Sequence, residues 1–473
     1  MITTLQDTFK RTILSALDMA VKTGNPVIVS HVSKLDSMGP LEFFTFGKEM
    51  SPGERFFWMS PNGRQSFAGL GNELVITSED KTNARFQEVE KEWKRFKKVV
   101  FYQEANDQDQ AFGPLLLGGF SFDPFKNDEA KWKDFKEARF ILPSCMLSKT
   151  DKGVFLTINK VIQSYDPVER CLEYFQKFQT VRIKKHAAEW KEKNPQQLSF
   201  AEHHKSEWMQ SIKKATDSIK AGKLDKVVLA RDITLTFNDQ LQAEQVLQTL
   251  INEQKTSYIF AVENGESCFL GATPERLVKL EGQKVLSTCL AGSIKRGQTD
   301  EEDILLGETL LHDQKNLEEH DYVVQMIKGA LKDCCDEVQI PQEPGLYKTK
   351  NIQHLFTPVE GTLKKGCSFL SIVETLHPTP ALGGLPKEKA VEMIREIEPM
   401  DRGWYAGPVG WFDGEDNGEF AVAIRSALLR GKEADLYAGC GIVKDSEPES
   451  EYAETMIKLK PMLSALGGDL HEI

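Results

Sequence analysis

Short apolar runs separated by turn residues recur along this chain of 473 residues, and they constrain its fold more than any other feature. In the first 165 residues, Arg55–Met59 is followed by a Ser-Pro-Asn-Gly turn, and Leu115–Phe122 has the same apolar character. Further on, Tyr258–Glu263 and Cys268–Ala272 flank an Asn-Gly dipeptide, which is typical of a tight hairpin. This pattern predicts strands of antiparallel sheets.

Helical segments are interleaved with the predicted strands. Met1–Lys22 has the spacing of an amphipathic helix, Lys205–Ala221 is predicted to be a helix that ends at Gly222, and Thr299–Lys332 is predicted to be one long helix. Strands and helices alternate without a strict βαβ rhythm. The pattern therefore predicts an α+β fold.

Composition excludes several classes of protein. The 71 Asp and Glu residues outnumber the 59 Lys and Arg residues, and the resulting formal charge of −12 argues against binding to nucleic acid. No run of 18 apolar residues occurs, so no membrane segment is expected. Eight cysteines without metal-ligand spacing favour free thiols in a reducing cytoplasm.

A polar, basic stretch at Arg182–Gln197 is interpreted as a solvated helix face that runs into a linker, rather than as a nucleic-acid patch. It divides residues 1–200, a variable N-terminal part, from residues 201–473, which carry the candidate chemistry. We expect both parts to form one compact unit.

Carboxylates on two predicted helices are candidates for a cation site. Glu451, Glu454 and Lys458 are spaced i, i+3, i+7, which places them on one face of the closing helix. That face is either a solvent-exposed ion pair or a site for a hard cation and an anionic substrate. Glu319 shares a helical face with apolar residues and is predicted to point inward, where a carboxylate needs a partner or a metal. Two glutamates from two helices would suit Mg²⁺.

Other single residues are open to two interpretations. Lys226 begins an apolar strand and is either an exposed flanking lysine or, if buried, a base. Glu275 follows a strand at a Thr-Pro turn, in a cleft or on the surface. Arg425 interrupts the predicted strand Phe420–Leu428, where it needs a carboxylate or a substrate acid. His312 and His320 lack zinc spacing and are predicted to be exposed.

In combination and in this order, these segments resemble the chorismate-utilising enzymes, and within them the isochorismate synthases. The resemblance covers roughly residues 205–466. Its motifs are KVVLAR (226–231), GATPERLV (271–278), LAGS (290–293), NLEEHDYVV (316–324), LHPTPALGG (376–384), GWYAGPVGW (403–411), FAVAIRSALL (420–429) and AGCGIVKDSEPESEYAETMIK (438–458).

The resemblance implies a fold of large antiparallel sheets packed face to face with helices outside. It implies that Lys226 is the general base that activates water for attack on ring carbon C2, and that Glu275 is the general acid that protonates the departing C4 hydroxyl. It implies one Mg²⁺, bound by Glu319 and Glu454, with Glu451 holding the metal or a metal-bound water. Substrate contacts are implied for Gly292, His354, Ala381, Tyr405, Arg425, Gly439 and Lys458.

Differences among relatives favour one activity. Anthranilate synthases carry glutamine at the position of Lys226, and aminodeoxychorismate synthases carry a nucleophilic lysine at that of Ala291. Salicylate synthases share the lysine but usually depart from the sequence Pro380-Ala381 after the threonine. The motifs therefore predict an isochorismate synthase acting on chorismate, with salicylate synthase as an alternative. The long N-terminal part favours the menaquinone over the siderophore pathway. No glutaminase subunit is expected.

Overall fold

The computed structural model describes residues 2–35, 37–96, 99–103, 113–126, 130–179, 195–349 and 352–468. The interpretation of Arg182–Gln197 falls largely on residues 180–194, which lie outside the described residues.

The helices of the described part are numbered in chain order. They are α1 (Ile2–Thr23), α2 (Pro40–Met50), α3 (Arg85–Arg95), α4 (Val168–Gln179), α5 (Lys205–Lys220), α6 (Ala243–Glu253), α7 (Asp300–Leu311), α8 (Gln314–Cys334), α9 (Phe369–Leu376), α10 (Lys387–Ile397) and α11 (Pro448–Leu466). Short 3₁₀ turns occur at Pro61–Gly63 and Ala130–Trp132.

The strands are numbered in the same way. They are β1 (Val27–Leu35), β2 (Arg55–Met59), β3 (Ser66–Ser78), β4 (Val99–Gln103), β5 (Leu115–Phe120), β6 (Ala138–Thr150), β7 (Gly153–Ile162), β8 (Gln197–Glu202), β9 (Lys226–Phe237), β10 (Tyr258–Asn264), β11 (Ser267–Thr273), β12 (Arg276–Glu281), β13 (Lys284–Lys295), β14 (Cys335–Gln339), β15 (Gly345–Lys348), β16 (Ile352–Leu363), β17 (Gly384–Leu385), β18 (Pro408–Asp413), β19 (Gly418–Val422), β20 (Ser426–Arg430) and β21 (Glu433–Ile442).

Strand pairing forms two arms that diverge at β6. The first arm runs β4-β1-β7-β6-β3-β2-β10-β11-β20-β21-β9, and β8 and β17 pair with the two ends of β9. The second runs β6-β5-β18-β19-β12-β13-β16, with β14 and β15 both on β16. Of these pairs, β1–β4 is parallel and the others are antiparallel. Strands from before and after residue 200 pair at β2–β10 and β5–β18, so the two parts of the chain share both arms.

Alternate residues of one strand show how the layers pack. In β10, Phe260 and Val262 belong to the core between the arms, whereas Ile259 and Ala261 belong to a second core. That second core contains apolar side chains of α1, α2, α4, α6 and α11. Because successive side chains of a strand point to opposite faces, the first arm has helices on one side and the other arm on its other side. The predicted α+β fold with face-to-face sheets and outer helices is confirmed.

Two local predictions were wrong. The segment 299–332 forms two helices rather than one, because the side chain of Asp313 accepts a hydrogen bond from the backbone N–H of Asn316 and begins α8 anew. The predicted strand Phe420–Leu428 is interrupted between β19 and β20. Arg425 lies in that interruption with φ of +51°, a left-handed conformation outside the extended region of regular strands.

Candidate active site

Lys226 and Glu319 form an ion pair between β9, the last strand of the first arm, and α8. Lys226 is the first residue of β9, and its Nζ donates a hydrogen bond to Oε1 of Glu319 on α8 at 2.8 Å. The lysine side chain is 15% exposed and passes over Gly441 on the neighbouring strand β21, where a Cβ atom would lie 2.7 Å from Lys226 Cε. The absence of a side chain at Gly441 therefore gives the lysine its path.

A second lysine lies on the closing helix. Lys458 Nζ is 2.5 Å from Oε1 of Glu454, one turn earlier on α11, and donates to the backbone oxygen of Gly439 at 2.9 Å. Gly439 belongs to β21, two residues before Gly441. The lysine thus connects α11 to the strand that Lys226 crosses.

Glu275 lies in the short connection between β11 and β12. Its backbone oxygen accepts a hydrogen bond from the N–H of Val422 at 3.0 Å, which fixes the connection against β19. Burial raises the pKa of its carboxyl group to about 7, although the positive charges of Arg425, Lys458 and Lys226 act in the opposite direction. The same three cations therefore surround the group that the motifs identify as the acid.

Arg425 contributes charge without a fixed ion pair. Its backbone oxygen accepts from the N–H of Ala272 at 3.0 Å, so the turn is held against β11. Burial lowers the pKa of the guanidinium, while Tyr405, Glu275 and Glu454 oppose that shift. Among the described residues no hydrogen-bond acceptor engages the guanidinium, which leaves its planar donors available for an oxyanion.

Tyr405 completes this side of the cleft. Its ring stacks on Tyr437 with centroids 5.3 Å apart, and its hydroxyl would lie 3.4 Å from a Cβ atom at Gly439. Burial raises its pKa to about 12, so the hydroxyl keeps its proton near neutral pH.

Gly292 and His354 lie on two paired strands, β13 and β16, and His354 pairs with Ser293, the residue after Gly292. The register of β13 and β16 shifts between Leu290 and Ser293, and Gly292 takes φ of +78° within this bulge. His354 Nδ1 is 2.7 Å from Oγ of Ser293. Burial and the charges of Arg425 and Lys458 lower the pKa of His354 to about 4, so its ring is neutral near pH 7.

Ala381 lies in the loop between α9 and β17, next to the strand that carries Lys226. Two residues further on, the oxygen of Gly383 accepts from the N–H of Val228 at 2.9 Å. Arg402, which the sequence interpretation missed, also connects this loop to β9 through hydrogen bonds. Arg402 donates to the oxygens of Leu382 at 3.0 Å and Val228 at 2.8 Å.

A buried carboxylate holds Arg402 in turn. Glu398 accepts two hydrogen bonds from the guanidinium at 2.7 Å each and one from the N–H of Ala230 at 2.7 Å. Both side chains are at most 3% exposed. The available sequence signal was the i, i+4 spacing of Glu398 and Arg402.

The prediction for one histidine was wrong. His320, beside Glu319, is 3% exposed, and its ring nitrogens contact Ala291 and Thr357. Helical periodicity could not show that β13 and β16 would cover this face. His312 is exposed, as predicted.

The side chains of two proposed metal carboxylates, Glu319 and Glu454, are accessible to solvent. Glu319 and Glu454 are 46% and 50% exposed, so Glu319 is less buried than its helical face predicts. Burial raises the pKa of the Cys440 thiol, and the nearby carboxylate of Glu451 acts in the same direction. Within the described ranges no cluster of three metal-binding side chains forms. The donor chemistry of Glu319 on α8 and Glu454 on α11 nevertheless fits Mg²⁺, which binds one or two carboxylates and leaves positions for water and substrate.

The fold and these motifs define the class of protein: the chain belongs to the chorismate-binding enzymes. The family model described as "Chorismate binding enzyme" matches residues 15–467, which is nearly the whole chain. The family predicted from the motifs is therefore confirmed.

Individual relatives are similar over almost their full length. Isochorismate synthase MenF of Bacillus subtilis is 49% identical over 472 residues, covering 99% of this chain and 100% of the relative. A salicylate biosynthesis isochorismate synthase of Pseudomonas aeruginosa is 34% identical over 471 residues, covering 98% and 95%. The solved structure of MenF, the menaquinone-specific isochorismate synthase from Escherichia coli, has a TM-score of 0.78 at 25% identity, covering 96% of this chain and 100% of that one.

Two expectations from composition can also be compared with the structure. All eight cysteines are free, as predicted. Across the described ranges, no helix combines the length and apolarity that a membrane crossing requires.

Proposed function

We propose that this chain is an isochorismate synthase, an isomerase that converts chorismate to isochorismate for menaquinone biosynthesis. Water adds at ring carbon C2 and the hydroxyl leaves from C4. The observation that carries the proposal is that Glu275, a buried carboxylic acid of pKa about 7, lies within the electrostatic influence of Lys226, Arg425 and Lys458. The 49% identity to MenF of Bacillus subtilis over the full chain supports the assignment of activity and pathway.

The two chemical groups have complementary tasks. Water is a poor nucleophile, so Lys226 in its neutral form takes a proton from it as it attacks C2. Hydroxide is a poor leaving group, so Glu275 gives its proton to the C4 oxygen as the bond breaks. With a pKa of about 7, Glu275 is about half protonated at neutral pH, whereas a glutamic acid with pKa 4.5 would be protonated in about one molecule in 300.

The remaining residues bind and orient the dianionic substrate. Arg425 and Tyr405 bind the pyruvyl carboxylate, with Lys458 and the backbone at Gly439 beside them. Gly292 shapes the bulge around the C4 oxygen, and neutral His354 and Ala381 line the ring. Glu319, Glu454 and Glu451 would hold Mg²⁺, which would supply charge compensation for the ring carboxylate.

One assay tests the function. The purified protein is incubated with chorismate, with and without Mg²⁺, and the products are resolved by liquid chromatography. Isochorismate without pyruvate is the expected result. Salicylate together with pyruvate would select the salicylate synthase alternative, and no Mg²⁺-dependent turnover would refute the proposal.

Cellular context belongs to the same proposal. We place the enzyme in the cytoplasm with chorismate as its partner, and without a membrane, nucleic acid or glutaminase subunit. The siderophore pathway is the alternative for its product. Restoration of menaquinone synthesis in a strain that lacks its own enzyme for this step tests the pathway directly.

A further inference from the structure

His320 is a buried side chain whose two ring nitrogens both have partners. Nδ1 lies 2.9 Å from the backbone oxygen of Ala291, and Nε2 lies 2.7 Å from Oγ1 of Thr357. A carbonyl oxygen can only accept, so Nδ1 carries the proton and donates it to Ala291. In the neutral ring Nε2 then accepts from the hydroxyl of Thr357. Each hydrogen bond therefore has one defined direction.

These partners belong to two different strands. Ala291 lies in the β13 bulge, immediately before Gly292, and Thr357 lies on β16, three residues after His354. The thiol of Cys289, also on β13, lies 3.8 Å from the backbone oxygen of His320. The imidazole of His320 thus joins α8 to both β13 and β16, the strands that carry Gly292 and His354 of the proposed chorismate site.

The neighbour of His320 on α8 is Glu319. The carboxylate of Glu319 is 46% exposed, and it accepts a hydrogen bond from Lys226 Nζ at 2.8 Å. An exposed glutamate is not fixed by its own packing, so its position depends on how the helix backbone is anchored. The buried hydrogen bonds of His320 anchor that backbone one residue away.

We propose that His320 is a positioning residue that holds Glu319 and the 290–293 bulge in one fixed arrangement, although its own ring contacts neither substrate nor metal. This inference rests on the proposed function, in which Glu319 binds Mg²⁺ and Gly292 shapes the site around the C4 oxygen. Groups that orient metal ligands from behind typically change metal affinity or activity roughly 10- to 100-fold when they are removed.

Three variants separate the two hydrogen bonds. His320→Leu removes both hydrogen bonds and replaces the imidazole by an apolar side chain of similar size. His320→Asn keeps an amide N–H near the position of Nδ1, so it can still donate to Ala291. Thr357→Val removes only the hydroxyl. His312→Leu is the matched control, because that ring is 78% exposed and its contacts within the described residues are with Glu308, one turn earlier.

Each protein is assayed below the melting temperature of the least stable variant. The readouts are kcat, KM for chorismate, and the dissociation constant of Mg²⁺ alone by calorimetry. For His320→Leu we expect kcat and Mg²⁺ affinity to fall roughly 10- to 100-fold, with KM changed less than threefold. His320→Asn should recover at least threefold of that loss, and His312→Leu should match the wild type.

A purely structural role gives a different result. It lowers the melting temperature of His320→Leu but leaves kcat and Mg²⁺ affinity within threefold of the wild type, which would overturn the proposal. If His320→Leu does not fold, a loss of at least threefold in Thr357→Val supports it and smaller changes refute it. Wild-type protein without chorismate turnover would refute the proposed function, whereas Mg²⁺ affinity would still test the positioning role.

Discussion

Replacing Glu275 by glutamine should abolish catalysis and yet stabilise the folded protein at alkaline pH. Glutamine has nearly the same shape but no proton to give, so kcat should fall by about 10²- to 10⁴-fold. Stability should change in the opposite direction, because burial raises the pKa of Glu275 from 4.5 to about 7. The folded state therefore binds this proton more tightly than the unfolded state does.

The size of the effect follows from linkage. A raised pKa in the folded state gives stability that is fully present below pH 4.5 and is lost as the pH rises through 7. The full loss is about 3 kcal/mol, and roughly 2.5 kcal/mol of it falls between pH 5 and pH 8. Glutamine is neutral throughout and escapes this loss. For a chain of this length that corresponds to a gain of about 2–3 °C in Tm, relative to wild type, on going from pH 5 to pH 8.

Thermal unfolding of the two proteins without chorismate or Mg²⁺ measures this difference. Glu392→Gln, at an exposed position on α10, is the control and should show no pH-dependent gain. A Glu275→Gln protein whose Tm difference from wild type is the same at pH 5 and pH 8 would show that Glu275 ionises normally. The account of Glu275 as a proton donor prepared by burial would then be wrong.

Three further predictions concern Lys226 and residues that pack against its strand, β9. Lys226→Ala should lower kcat by about 10²- to 10⁴-fold, while calorimetry still detects binding of Mg²⁺ and chorismate; near-normal turnover would contradict the role of the base. Gly441→Ala should lower kcat at least tenfold with little change in Tm. The reason is that the new Cβ would lie 2.7 Å from Cε of Lys226, at the flexible end of that side chain. An unchanged kcat would show that the path of the lysine is unimportant. Arg402→Met should destabilise the fold by about 3–5 kcal/mol in denaturant titrations, because it leaves the carboxylate of Glu398 buried without its partner. A loss below about 1 kcal/mol would mean that Glu398 is protonated or hydrated in the variant.

Local sequence patterns predicted the elements better than their contacts. The apolar strand expected to begin at Lys226 is observed as Lys226–Phe237, because its apolar run and flanking turns are local signals. The division of residues 299–332 was missed, since Asp313 caps a helix only when the chain turns there, and helical periodicity continues on both sides. Similarly, the apolar residues around Arg425 predicted a continuous strand. The strand is interrupted there because of the backbone conformation of Arg425.

The candidate site was reached through ordered motifs rather than through spacing. Lys226 and Glu319 are 93 positions apart, and no periodicity connects them, yet their side chains meet at 2.8 Å. The supporting residues could not be found in this way. His320 and Arg402 act through backbone oxygens of distant strands and loops, and such partners are identified only by the tertiary structure.

The acidic composition of the chain makes the charge balance of the cleft a strict requirement. Three cations and three proposed metal carboxylates come together there: Lys226, Arg425, Lys458, Glu319, Glu451 and Glu454. With all six ionised, which is the state before Lys226 is deprotonated for its role as the base, their charges cancel, so the two positive charges of Mg²⁺ would match the two negative charges of chorismate. That balance holds only while the fourth carboxyl group, Glu275, keeps its proton. The burial that raises its pKa to about 7 therefore has two consequences, because it supplies the acid and also prevents an extra negative charge from opposing the substrate.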